Sequence, residues 1–116
     1  MLTYDRRWEK GAAVDGTGDG GNRLERYRMS FGGRCQGVGF RYTSADIAGR
    51  VGLSGWVRNE DDGTVSMELQ GTPSQVVLFM KLLEHAYERF PWRYTVEAMD
   101  SVEPDPEDRS FRIVYR

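Results

Sequence analysis

The chain has 116 residues, 39% hydrophobic and 29% charged, with a net charge of -2. That is enough for one domain with a modest core, and too close to neutral for holding nucleic acid through bulk positive charge. A single cysteine, Cys35, leaves no internal disulfide and no cysteine-based zinc site. No apolar run approaches the ~18 residues of a membrane span, and the polar opening lacks the apolar middle of a secretory signal, so the chain is expected in the cytoplasm.

Residues 1–22 contain almost nothing apolar after Lys10, and Gly11 to Asn22 holds five glycines. A segment of that kind cannot offset its ordering entropy by burial, which predicts a flexible arm ahead of a domain over residues 23–116. Gly16, Gly18 and Gly21 match G-x-G-x-x-G, but no strand leads in and no helix follows, so the dinucleotide reading lacks its context. Asp15 and Asp19 suggest a calcium loop whose last ligand would be Arg26 rather than Glu.

From Arg26 the pattern becomes regular. Tyr27, Met29 and Phe31 alternate with polar residues as in a half-buried strand. Gly32 to Gly39 is a loop with four glycines. Phe40, Ser44, Ile47, Ala48 and Val51 then recur at helical spacing, with Gly52 as the stop. Leu53 to Arg58 predicts a second strand. Glu60-Asp61-Asp62-Gly63 predicts a hairpin turn, and Val65, Met67 and Leu69 a third strand. Thr72-Pro73-Ser74-Gln75 opens a second helix with a cap, a first-turn proline and a capping box. Its buried stripe is Val76, Phe79, Met80, Leu83, Ala86 or Tyr87, and Phe90, with Pro91 as terminator. Tyr94, Val96 and Ala98 predict a fourth strand reaching about Val102, and Phe111, Ile113 and Tyr115 a last short one. This order predicts an α+β domain: a ferredoxin-like βαββαβ sandwich whose antiparallel sheet carries both helices on one face. The fold hosts enzymes, sensors and RNA binders, so the site must decide the function.

The informative stretch is Gly33-Arg34-Cys35-Gln36-Gly37-Val38-Gly39-Phe40-Arg41. Glycines let successive backbone N–H groups turn inward as a nest for an anion, and the helix start adds unpaired N–H groups and the positive end of its dipole. Arg41 lies in that first turn, where a cation opposes the dipole. A bound phosphate shared between nest and guanidinium resolves the conflict; the plainer alternative is a glycine-rich connector followed by a solvated arginine. Asn59, at the end of the second strand, can accept from a water and donate to an oxyanion without changing charge, although beside Glu60-Asp61-Asp62-Gly63 it also suits a turn. Cys35 reads as a small apolar residue rather than a nucleophile. His85 flanks the second helix's apolar stripe, Trp56 suits packing, and no Ser/His/Asp set or carboxylate pair assembles near the loop.

The segments GRCQGVGFR, GLSGWVRN and DDGTVSMELQG together resemble the acylphosphatase family, and the likeness runs from about Arg26 to Tyr115. The resemblance implies the same ferredoxin-like sandwich and hydrolysis of acyl phosphates without metal or cofactor. It implies that Arg41 binds phosphate with the N–H groups of Gln36, Gly37, Val38, Gly39 and Phe40, and that Asn59 orients the attacking water. A small acyl phosphate is then the expected partner of a monomer, with no nucleic acid and no membrane. The chain departs from the family pattern in having Cys35 where Val is usual, in residues 1–22, and in a bulky Arg89-Phe90-Pro91-Trp92-Arg93-Tyr94 connector. Rival readings are a binding module on the same fold, the first domain of a hydrogenase-maturation carbamoyltransferase, and a catalytically silent relative. An RNA-recognition strand would carry closely spaced aromatics, and Thr64 to Gln70 has none. The carbamoyltransferases continue into Cys-rich zinc segments that are not found here.

Overall fold

A computed structural model describes residues 23–36, 39–90 and 93–115. The arm expected over residues 1–22 and the terminator Pro91 lie outside them. The elements run β1 (Glu25–Gly32), α1 (Phe40–Val51), β2 (Ser54–Asn59), β3 (Val65–Gly71), α2 (Pro73–Ala86), β4 (Thr95–Val102) and β5 (Phe111–Ile113). They form one five-stranded sheet in the order β4-β1-β3-β2-β5. The first four strands are antiparallel neighbours, as the ferredoxin-like reading requires. The added β5 lies parallel to β2, so the sheet is mixed.

The sheet's two faces reflect the alternation. Met29, Phe31, Val57, Val65, Met67, Leu69 and Val96 point into one core with Phe40, Ile47, Val76, Phe79, Met80 and Leu83 of the helices. The opposite face carries Arg26, Arg28, Trp56, Arg58 and Glu68. Trp56 lies between two guanidiniums there, 5.3 Å from Arg28 and 5.0 Å from Arg58. It packs on the sheet, as expected. Gly55 has φ 130 and abuts the Glu68 carbonyl, which a Cβ would strike; glycine lets β2 and β3 approach there.

Thr72 accepts from the Gln75 amide at 3.3 Å, while Gln75 Oε1 accepts from the Thr72 amide at 2.8 Å, closing the expected capping box. The helix stops at Ala86 rather than at Pro91. Tyr87 takes the inward place at 9% exposure while Ala86 is exposed and Phe90 is 44% exposed. The chain has left the helix by residue 90, so the 3.6-residue stripe no longer steers that ring inward. In β4 the expected alternation through Ala98 fails for a different reason. Ser30 pairs with Ala98 but Phe31 with Val96, leaving Glu97 as an extra residue that reverses the faces. Met99, not Ala98, packs against the core.

The segment between β4 and β5 is held across the open face by a polar network. Arg26 donates to Glu68 at 2.6 Å and Asp108 at 2.9 Å, Arg112 donates to Asp108 at 2.9 Å, and Gln70 exchanges two 2.7 Å bonds with the Asp105 backbone. Burial alone would raise the Asp108 carboxyl; hydrogen bonds from Arg26 and Arg112 outweigh it and hold its pKa below the ordinary value. A carboxyl depressed on folding adds stability above its unfolded pKa, near ~4, and loses that contribution as pH falls toward the folded value. Asp108→Asn is therefore expected to lower the urea midpoint at neutral pH by the equivalent of about 1–3 kcal/mol. The gap from the parent chain should narrow below about pH 4. A gap that stays constant on acidification would show that the Asp108 charge does not hold this segment.

Candidate functional site

β1 and β2 both run antiparallel to β3, and Phe31 and Asn59 face the same residue, Val65, from either side. Their C-terminal ends therefore emerge at one edge of the sheet. β5 is parallel to β2, with Val57 opposite Ile113 and the Val114 amide donating to the Val57 carbonyl at 2.8 Å. The C-terminal ends of three strands thus converge. β1 leads there into the glycine loop and α1, β2 into Asn59 and its turn, and β5 into Val114 and Tyr115.

A cleft of about 400 Å³ opens at this edge, lined by Gln36, Arg41, Asn59, Glu60, Asp61, Val114 and Tyr115. The structure brings Asn59, from the end of β2, beside Gln36 and Arg41, which belong to the loop and helix start that follow β1. Gly37 and Val38 are outside the described residues. Gly39 is the N-cap of α1 with φ 76, a left-handed conformation that favours glycine. The Phe40 side chain turns away from the cleft into the core, where its ring lies 5.0 Å from Phe31, 5.4 Å from Tyr94 and 5.9 Å from Tyr87. This aromatic cluster anchors the first turn of α1, and Arg41 comes next on the cleft side.

The two helix starts contrast. α2 is capped by its own Thr72 and Gln75, whereas α1 has no side-chain cap; neither helix has an acidic residue in its first turn. The opening N–H groups of a helix lack intrahelical partners, so those of Phe40 and Arg41 suit an external anion. The Arg41 guanidinium makes no ion pair with a carboxylate among the described residues. It lies over the rings of Tyr115 at 5.1 Å and Tyr42 at 5.9 Å. The two tyrosine hydroxyls are 3.0 Å apart, and that hydrogen bond pushes the Tyr115 phenol above its ordinary pKa. Asn59 makes no side-chain hydrogen bond to another described residue, so its carboxamide is not committed to the turn. The turn closes through Asp62, which accepts from the Thr64 amide and hydroxyl at 3.0 and 2.6 Å.

Val114 and Tyr115 line the cleft but were not legible as doing so, and Tyr42 joins them only through its contacts with Arg41 and Tyr115. The short last strand was legible, but its partner was not, and only the parallel pairing with β2 carries Tyr115 to the cleft. Cys35 is buried, with Sγ 3.6 Å from the Phe31 carbonyl, and burial pushes its thiol up, unlike an activated nucleophile. His85 is exposed beside Glu88 on α2. No group of three metal-ligating side chains occurs among the described residues, and no helix among them is long and apolar enough to cross a membrane.

Comparisons of sequence and of fold with known proteins agree with one another. The sequence profile of the acylphosphatase family matches residues 27–113. An acylphosphatase of Geobacillus thermodenitrificans is 45% identical over 94 residues, covering 79% of this chain and 96% of the relative. The crystal structure of acylphosphatase from Bacillus subtilis superposes with a TM-score of 0.65 at 30% identity, covering 80% of this chain and all of that one. Full-length HypF in its phosphate- and nucleotide-bound form matches with a TM-score of 0.63 at 26% identity, but over only 12% of its own length.

Proposed function

The chain belongs to the acylphosphatase family and is a hydrolase of acyl phosphates, and from that premise we propose that the cleft lined by Arg41 and Asn59 is where the anhydride is split. The observation that carries this reading is the meeting of an uncapped helix start, an arginine without a carboxylate partner among the described residues and an uncommitted carboxamide in one cleft. In the proposed reaction the phosphoryl group lies against Arg41 and the amides of Gln36, Gly39 and Phe40, which share its charge. Asn59 accepts a hydrogen bond from a water and aims its oxygen at phosphorus. The new P–O bond forms as the bond to the acyl oxygen breaks, the water's proton passes to solvent, and carboxylate and inorganic phosphate depart.

A carboxylate is a good leaving group, so no strong general acid is needed. The task left to the protein is to position the water and to stabilise the phosphoryl oxygens as their charge redistributes. Val114 and Tyr115 give the acyl part an apolar edge to lie along. On this reading residues 23–116 are the catalytic unit, acting in the cytoplasm as a monomer without metal, cofactor or nucleic acid. Phosphate release from a small aryl acyl phosphate tests it. Turnover is expected to be the same with and without a metal chelator, and a folded sample that releases no phosphate would favour a silent relative or a binding module.

A further inference from the structure

We propose that the side chain of Gln36 is a positioning residue, tying the anion-gripping loop to the turn that carries Asn59 so that both act on one phosphoryl group; this rests on the hydrolysis reading above. The sheet order puts β3 between β1 and β2. No backbone ladder joins the two strands whose ends build the cleft, and two strand spacings, about 10 Å, separate them. Gln36 spans that gap. Its Nε2 donates to the Glu60 carbonyl at 2.7 Å and to the Thr64 carbonyl at 2.8 Å. A primary amide has two N–H donors, and both are spent here. Glu60 is the residue directly after Asn59. The Glu60 amide in turn donates to the Thr64 carbonyl at 2.9 Å, so the Gln36 amide grips both ends of a turn already closed on itself. The neighbouring Cys35 sulfur lies 4.0 Å from the Gly63 carbonyl, which keeps the loop seated on the same hairpin tip.

The side chain is therefore committed to backbone carbonyls of another element, and it acts on substrate through the separation of Arg41 and Asn59. Losing the tie leaves the grip on phosphate intact and lets the water-orienting amide drift. A displacement of about 1 Å is enough to cost ~10²-fold in rate.

The test compares Gln36→Met, which keeps length without donors, and Gln36→Glu, which sets a carboxylate against the two carbonyls. Phosphate release from a small aryl acyl phosphate is measured alongside competitive inhibition by inorganic phosphate and a thermal melt. Both variants are expected to lose about 10- to 100-fold in kcat, with Gln36→Met keeping its inhibition constant for phosphate within about threefold. In single-turnover measurements on an Asn59→Ala background, Gln36→Met should slow the reaction by less than about threefold, because the tie acts through Asn59. Equal losses in phosphate inhibition and kcat, a fully multiplicative double mutant, or an unaffected kcat would overturn the positioning role. So would unfolding of both variants at the assay temperature, which would make Gln36 a folding residue. A parent protein that releases no phosphate overturns the hydrolysis reading and this inference together, whereas an active parent with indifferent variants overturns this one alone.

Discussion

Replacing Asn59 by alanine is expected to cut kcat on a small aryl acyl phosphate by at least about 10²–10³-fold while the protein stays folded. In the proposed mechanism the carboxamide contributes orientation rather than basicity, and a water that must find its own line of attack forfeits most of what positioning provides. Stability should change little. Asn59 is half-buried at the end of β2 and its side chain holds no other described residue, so the urea midpoint is expected to move by no more than about 0.5–1 kcal/mol equivalent. Asn59→Asp sharpens the test. It keeps the shape but sets a carboxylate beside the phosphoryl oxygens, which should raise KM as well as lower kcat. Parent-like kcat in the alanine variant would remove Asn59 from the mechanism.

Replacing Arg41 by glutamine should raise KM and lower kcat together, with a combined loss in kcat/KM of about 10³ or more. The guanidinium is proposed to hold the phosphoryl group both before and during transfer, so neither parameter should escape. Arg41→Lys distinguishes charge from geometry. A lysine restores the cation but not the planar fork that two phosphoryl oxygens can share, so partial recovery is expected. The glutamine variant should stay within about 1 kcal/mol of the parent's stability, because removing a cation from the positive end of α1 offsets the loss of its contacts with the Tyr42 and Tyr115 rings. Unchanged stability with a loss of activity is the signature of a residue kept for binding; unchanged kcat/KM would return Arg41 to a solvated surface role.

How far the sequence discloses this protein differs from element to element. The α2 start was legible because Thr72, Pro73 and Gln75 are local: cap, first-turn proline and box all lie within one turn of chain. The α2 end was not, because Pro91 is an obvious terminator while the earlier departure, with Tyr87 turned inward, depends on the packing of Phe40 and Tyr94 around that ring. Likewise nothing local to β4 announces that Glu97 is an extra residue; it becomes visible only once β1 is laid beside it. At the cleft, Arg41 could be singled out by the conflict between its charge and the helix start. The nearness of Asn59 could not, since it depends on β3 pairing with both neighbours at Val65. The part proposed for Gln36 was hidden more deeply, for as one residue of a glycine loop it is expected to offer its backbone, and the two carbonyls its side chain finds belong to a turn on the far side of a strand.

The parallel seat of β5 also has a bearing on how the protein matures. Gln36, Arg41 and Asn59 leave the ribosome early, and the strands beside them can begin to associate while translation continues. Val114 and Tyr115 come dozens of codons later, and they take up their place only after the Asp105–Asp108 segment has crossed the open face. A nascent chain halted before them would own the proposed grip and the proposed water-orienting amide but have solvent where one wall of the cleft belongs, so full competence should arrive only once Val114 and Tyr115 have been added.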